Sequence, residues 1–402
     1  MSRRHAFWVV AYAFIVTLLG STLPTPLYVV YQNRWHFSAG VLTSVYAVYA
    51  LAVFLALLLF GSLSDQIGRR YVLLASLVLV AISAILFTFA QGVAWLVMAR
   101  IVTGLAVGLS MGTATAALTE LHVHRDNRYA ALISTTCSAI GFGLGPLLAG
   151  ILVQYAPWPT TLVYLVYLVL ILLAFFGLWM IPETLPASSF KKVWRPQRPS
   201  IPAEIWAPFA LASAAVFCGF ATLGLFAALA PSLVISLLHV HNLAVGGAIA
   251  SVVFATSALT QIALRQMAWQ PALAVGLVVM TGGLILTVFA LAMQSLIVFL
   301  GSAVCLGLGQ GLSYMGSLAL VNQIAPPAKR AEIASSYFVA AYIGTAGPVL
   351  GVGILASRLG FLGGIVAFVL LIGSISLVAV ASMLLGAKRR YIFDEVKDMN
   401  ER

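Results

Sequence analysis

Apolar runs of membrane-crossing length alternate with short polar breaks along this chain. A helix needs roughly 20 apolar residues to cross a bilayer. Runs at 6–31, 39–60, 71–90, 93–119, 129–154 and 161–181 meet that requirement. A second set follows at 205–237, 242–264, 272–293, 296–321, 332–356 and 361–385. The pattern predicts an all-α membrane protein with twelve transmembrane helices. The seventh run is too long for one straight span, and Pro231 is expected to separate a helix from a short outer segment. Between the two sets, 182–204 carries Pro182, Pro186, Pro196, Pro199 and Pro202 with Lys191, Lys192, Arg195 and Arg198, which reads as a polar linker. The expected division is a six-helix bundle over 1–181, a linker over 182–204, a second bundle over 205–386 and a tail over 387–402.

Composition agrees. The chain has 402 residues, of which 62% are hydrophobic and 8% charged, against about 25% charged in soluble domains. Arg3, Arg4 and His5 precede an apolar stretch that runs to about Val30, too long for a secretory signal and without a small-residue cleavage site. It reads as an uncleaved first helix. Cys137, Cys218 and Cys305 lie inside apolar spans without metal-ligand spacing. The six histidines fall at loop ends, where they could sense pH or simply sit at the interface.

The net charge is +11, and its placement decides what it means. With the N-terminus inside, Arg3, Arg4, Arg69, Arg70, Arg125, Arg128, the four linker charges, Arg265, Lys329, Arg330, Lys388, Arg389, Arg390, Lys397 and Arg402 all face the cytoplasm. These are 18 of the 21 basic residues; Arg34 and Arg358 lie outside and Arg100 lies within the fourth span. Basic residues concentrate on the cytoplasmic face of membrane proteins. The asymmetry predicts a multi-pass protein of the inner (plasma) membrane with both termini cytoplasmic. It accounts for the basic balance without nucleic acid, and the loops can touch anionic headgroups of the lipid bilayer.

The two sets repeat each other. Arg128, Gly145 and Pro146 recur as Arg330, Gly347 and Pro348, displaced by 202; Gly108-Leu109-Ser110 recurs as Gly311-Leu312-Ser313, displaced by 203; Pro26 and His36 match Pro231 and His241, displaced by 205. Parallel six-helix repeats characterise one transporter architecture, with its site at the midplane between the halves.

Three motifs carry chemistry. After span two the chain reads Gly61-Ser62-Leu63-Ser64-Asp65-Gln66-Ile67-Gly68-Arg69-Arg70. Gly61 and Gly68 permit a tight turn, and Asp65 suits a helix N-terminus or balances Arg69 or Arg70. In span four, Arg100 precedes Gly104 and Gly108, a small-xxx-small pair that lets helices pack closely. An intramembrane charge costs at least ~2.5 kcal/mol and asks for a function; the alternative is an arginine bonded to carbonyls of the first helix. Span five holds Gly141, Gly145, Pro146 and Gly150, where Gly-Pro kinks the helix. The Gly347-Pro348 pair repeats that kink.

These motifs, with Pro182-Glu183-Thr184 closing span six, resemble the major facilitator superfamily over the whole chain. The resemblance implies two pseudo-symmetric six-helix bundles. It also implies that Asp65 meets the eleventh helix near Ala331, that Arg100 is linked to proton coupling, and that helices one, four, seven and ten line the cavity. Candidate lining residues on those helices are Tyr12, Thr25, Tyr28, Thr103, Thr113, Phe217, Phe220, Gln310, Tyr314 and Asn322. Their mix of rings and neutral polar groups suits amphipathic organic molecules. The span-five motif is similar to that of drug–proton antiporters, with Ala149 in place of a glycine. Those antiporters often carry an acid inside the first helix, and none stands between His5 and Arg34 here. Glu120, at the inner end of span four, is the nearest candidate for coupling; the other reading pairs it with Arg125 or Arg128.

Gly108-Leu109-Ser110-Met111-Gly112 matches G-x-S-x-G but lies inside an apolar span, not the strand–turn–helix elbow hydrolases use. The chain has neither a Walker A loop nor H-E-x-x-H. The expectation is a non-enzymatic, cofactor-free, monomeric secondary transporter that exports a small-molecule substrate in exchange for protons. Import or symport of a sugar, organic acid or other metabolite is the alternative. In a variant with Cys137, Cys218 and Cys305 replaced, single cysteines at Ser2→Cys and Glu401→Cys should react with an impermeant maleimide from the same face. Reaction from opposite faces would contradict an even number of spans.

Overall fold

The computed structural model describes residues 2–61, 63–122, 127–184, 201–326 and 329–400, excepting the side chains of 127–129, 131, 132, 330, 331 and 386–400. Arg125, Arg128, Arg330, the linker charges at 191–198 and the basic residues after 386 therefore lie outside the described side chains. The first half comprises α1 (Arg3–Thr22), α2 (Leu27–Trp35), α3 (Ala39–Phe60), the short α4 (Ser64–Ile67), α5 (Arg69–Thr88), α6 (Val93–Leu121), α7 (Asn127–Tyr155) and α8 (Pro159–Met180). The second comprises α9 (Trp206–Ser236), α10 (Leu243–Ala263), α11 (Trp269–Ala292), α12 (Leu296–Ile324) and α13 (Arg330–Asn400). We call the face carrying the start of α1, the end of α8 and the start of α9 the linker side, and the other the far side.

Eleven segments are long and apolar enough to cross a membrane, and the last, Glu332–Leu385, contains 54 residues. At 1.5 Å per residue that exceeds twice a hydrocarbon core of about 30 Å. Gly360, at φ 75° and ψ 168°, breaks α13 into two arms. Gly364 packs back on Val352, so the arms run antiparallel and the chain makes twelve crossings. Outward faces stay apolar, with Val169, Leu172, Phe176, Leu370 and Val378 exposed. Exposed side chains of this kind are stable only against lipid.

Two expected elements come out differently. The first span is one apolar segment, Arg3–Trp35, but Pro24 and Pro26 interrupt it between α1 and α2. The seventh is the reverse: α9 runs unbroken to Ser236 with Pro231 inside. Proline removes the N–H that would bond the carbonyl four residues earlier, here Ala227. The Thr25 hydroxyl donates to that carbonyl at 2.6 Å. With the orphan acceptor satisfied, the helix continues.

Pro146 in α7 follows the same rule. Its orphan is the Phe142 carbonyl, and the Thr22 hydroxyl donates to it at 2.8 Å. Gly141 and Gly145 bring α7 onto α1; a Cβ at Gly145 would lie 2.7 Å from the Leu19 oxygen, and one at Gly141 2.8 Å from the Ile15 oxygen. Gly150 packs as closely on α10, 2.8 Å from the Leu243 oxygen. Gly347 departs from this pattern: an added Cβ meets nothing within 4 Å, because Gly347 and Pro348 face a crevice between the α13 arms. The repeated Gly-Pro is a tight helix contact in the first half only.

Forcing side chains into a close contact costs about 1–3 kcal/mol. Gly145→Val is expected to lower the melting temperature in detergent clearly, and Gly347→Ala to leave it unchanged. Equal effects would show that the two sites are packed alike.

Candidate functional site

Contacts between the halves are dense on the far side. Thr25 reaches Ala227, as above. Gln154 of α7 accepts from the Leu243 N–H of α10 at 2.9 Å, and Asn242 donates to the Tyr155 hydroxyl at 3.1 Å. The first N–H groups of a helix lack internal partners. For α10 these are satisfied by Asn242 itself, through Ala244 and Val245, and across the seam by Gln154. Gly40 of α3 approaches Gly353 of α13, while Gly353 packs on Thr43. Phe142 and Phe254 stack at 5.7 Å and mark the depth where this closure ends.

Below that pair, toward the linker side, lies a cavity of about 930 Å³ counting its mouth. Its wall is aromatic and neutral polar. Tyr46 and Tyr49 come from α3; Thr135 and Ser138 from α7; Phe220 from α9; Ser257 and Gln261 from α10; Gln310 and Tyr314 from α12; Tyr342 and Thr345 from α13. Gln310 accepts from the Ser257 hydroxyl, and Gln261 donates to Ser257 at 3.1 Å, which forms one polar chain. Phe220 packs on Tyr314 at 5.7 Å and Tyr342 at 6.3 Å. Tyr342 also donates to the Met111 sulfur at 3.1 Å, joining the halves. It lines a second cavity of about 770 Å³ between α3, α6 and α13 as well.

Of the ten expected lining residues, Phe220, Gln310 and Tyr314 line the central cavity. The other seven do not. Tyr12 donates to Leu170 at 3.2 Å in a groove between α1 and α8. Thr25 closes the far side. Tyr28 is fully buried against Arg100. Thr103 bonds Ser83 at 2.6 Å and the Ala99 carbonyl at 2.9 Å. Thr113 lines the second cavity, Phe217 the crevice by α13, and Asn322 is exposed at the end of α12. The reason is rotational phase: an apolar helix in lipid gives no stripe to say which third of it looks inward. A usable signal existed in α3, α7, α10 and α13, where Tyr46/Tyr49, Thr135/Ser138, Ser257/Gln261 and Tyr342/Thr345 repeat at helical spacing within apolar spans.

Arg100 sits beside the wall, at 0% exposure. Its Nε donates to the Tyr28 hydroxyl and its Nη1 to the Ser21 carbonyl at 2.5 Å. That carbonyl is available because the proline break sends the Thr25 N–H to Thr22 instead, at 3.0 Å. The C-terminal end of a helix attracts a cation, so Arg100 pins the broken first span. Gly104 and Gly108 carry the packing that aims it: a Cβ at Gly104 would lie 2.6 Å from the Tyr49 oxygen, and one at Gly108 2.8 Å from the Val53 oxygen. Tyr46 and Tyr49 are thereby held over the guanidinium at 5.9 and 5.3 Å. Ser110 of the G-x-S-x-G match lies inside the continuous α6, donating to Val107 at 3.0 Å.

The signature loop forms a second cluster, on the linker side. Asp65 pairs with Arg69 at 2.5 Å, and Arg69 reaches Glu120 at 3.3 Å. Thr184 donates to the other Glu120 oxygen at 2.6 Å. Glu120 therefore stands in this network and is not among the residues lining the central cavity. Gly61 ends α3, and Gly68 turns the chain at φ 103°. Glu183 accepts from the Arg69 and Arg70 backbone N–H groups at 2.9 and 3.0 Å. Glu183 thus caps the N-terminus of α5, while Asp65 lies in the first turn of α4; the expected meeting of Asp65 with the eleventh helix falls at Ala331, outside the described side chains. Arg70 donates to the Trp179 carbonyl at 2.5 Å.

The model described as Major Facilitator Superfamily matches residues 10–348. "Putative multidrug resistance protein MdtD" of Citrobacter koseri is 29% identical over 164 residues, 39% of this chain and 33% of that protein. The protein of the same name from Salmonella typhimurium is 30% identical over 162 residues, with the same two shares. The matched region spans 33% of these curated relatives' length. A bacterial homologue of the human lysosomal transporter Spinster, solved inward-facing and occupied, superposes with a TM-score of 0.74 at 13% identity, over 96% of this chain and 97% of that one. The human organic anion transporter MFSD10 gives 0.65 at 18% identity, over 95% and 100%. At these identities the likeness to solved structures is one of fold.

Leaving a buried carbonyl without its partner costs about 1–3 kcal/mol. Thr25→Val should therefore loosen far-side closure and raise impermeant-maleimide labelling of Ser232→Cys from that side. Unchanged labelling would remove Thr25 from the closure.

Proposed function

The chain belongs to the major facilitator superfamily, and from that premise we propose that it exports small amphipathic organic molecules by proton-coupled alternating access. The observation that carries this reading is the central cavity: it lies between the halves, beneath a bonded far side, with a wall of rings, hydroxyls and amides. A wall of this kind binds apolar bodies with scattered polar groups and makes few demands on shape. Residues 1–181 and 205–386 act as the two rocking units, joined by 182–204, in a monomer with both termini in the cytoplasm of the inner membrane. No cofactor or chemical step is required.

The partial likeness to MdtD supports the export direction. Phe142 and Phe254 on the seam, Thr25 against Ala227, and Gln154 against Leu243 are the contacts that part when the far side opens. The linker-side cluster answers that motion. Asp65, Arg69 and Arg70 with the turns at Gly61 and Gly68 are the switch; Arg100 and Glu120 are the coupling residues, Arg100 as a fixed charge that exchanges partners and keeps its protons. Breaking Asp65–Arg69 frees both for other partners on the same face.

Purified protein in proteoliposomes, offered a panel of amphipathic dyes, sugars and organic acids with and without a pH gradient, tests the reading. Gradient-driven movement of amphipathic compounds is expected, with Asp65→Asn slowing it by an order of magnitude at unchanged expression. Movement of a sugar or small metabolite alone would overturn the export assignment, and full activity in Asp65→Asn would remove the switch.

A further inference from the structure

We propose that the central cavity selects amphipathic organic anions, with Arg100 as the fixed positive charge its wall presents to them; this deepens, and rests on, the transporter reading above. Among the described residues, no aspartate or glutamate lines the cavity. The ion pairs among those residues, Asp65–Arg69 and Arg69–Glu120, lie in the linker-side cluster. Arg100 is buried in the interior, and its partners there are the Tyr28 hydroxyl and the Ser21 carbonyl. Its Nη2 is buried without a partner.

One layer of side chains separates that charge from the cavity. The guanidinium carbon lies 5.2 Å from the Tyr28 ring, 5.3 Å from Tyr49 and 5.9 Å from Tyr46 and Phe87. Tyr46, Tyr49 and Ser21 form cavity wall on their other side. Ring faces and a carbonyl dipole ease the burial of a cation but carry no net charge. The positive potential therefore persists at the wall, and low-dielectric surroundings extend its reach. An anion in the cavity supplies the missing counter-charge. Gln261 and Gln310 bring amide N–H donors to its oxygens, and Phe220, Tyr314 and Tyr342 bring rings to its apolar body. A cationic ligand would leave water for a site with a like charge nearby and no carboxylate to receive it.

The test uses three probes with one ring system and different charge: 2-naphthoate, 2-naphthamide and N,N,N-trimethyl-2-naphthylammonium. Binding to the purified full chain is read by thermal stabilisation. The naphthoate should bind about tenfold or more tightly than the ammonium. Arg100→Gln should erase that difference. Gln261→Glu, which leaves Arg100 and its packing in place, should reverse it by adding a carboxylate to the wall. Ammonium binding as tight as naphthoate, no response to naphthoate, or an unaltered preference in Gln261→Glu overturns the proposal. Should the ammonium or the amide still be carried in proteoliposomes, the anion assignment alone has failed; should no compound of the wider panel move, the transporter reading has failed with it.

Discussion

A carbonyl that loses its helical partner inside hydrocarbon has no water to turn to, so another side chain must reach it or the helix gives way. That constraint organises this molecule around residues 21–28. At the break in the first span the Thr25 N–H turns to the Thr22 carbonyl, leaving the Ser21 carbonyl to Arg100. Pro146 releases Phe142, which Thr22 takes, and Pro231 releases Ala227, which Thr25 takes. Three helix defects on three different helices are repaired at one place. The consequence is mechanical. Thr22 ties α1 to its own half, while Thr25 ties it to the other half through a bond that can be exchanged for a different acceptor.

The two ends of the molecule are built from different chemistry. Far-side closure uses glycine contacts, two hydroxyl or amide bonds and a cross-half cap on α10, all short-range and individually modest, near 1 kcal/mol each. Such an interface parts without leaving a charge stranded in a low-dielectric medium. The described ion pairs lie on the linker side, where Asp65, Arg69, Glu120 and Glu183 brace the ends of α4, α5, α6 and α8, and Arg34 and Arg358 stand at the far end. Arg100 is the exception, a charge held deep by dipoles and rings. Its setting explains why Gly104 and Gly108 are needed: larger residues would push α3, and the Tyr46 and Tyr49 rings it carries, away from the guanidinium.

Much of this was legible from residues alone. Apolar run lengths gave the crossings, the lone arginine in span four marked a buried charge, and Gly141, Gly145 and Pro146 marked a close contact. Rotational phase was not legible, so Tyr12, Thr103 and Phe217 were expected in a cavity they do not line, while Tyr46, Ser257 and Thr345 were missed. Proline identity was visible, yet its consequence depends on a donor 120 residues away for Phe142 and 202 residues away for Ala227. The same limit applies to Glu183, which caps a helix 114 positions earlier in the chain. Pairings of that range follow from how helices stack, which periodicity does not encode.

The central claim is that the two halves exchange closure between faces around one cavity. Paired spin labels measure this directly in reconstituted protein: one pair at Trp158 and Gln294 on the far side, one at His5 and Gln266 on the linker side. With a transported compound and a pH gradient present, the far-side distance should gain a longer population while the linker-side distance gains a shorter one. Distances that stay fixed at both faces under turnover, or lengthen together, would contradict it.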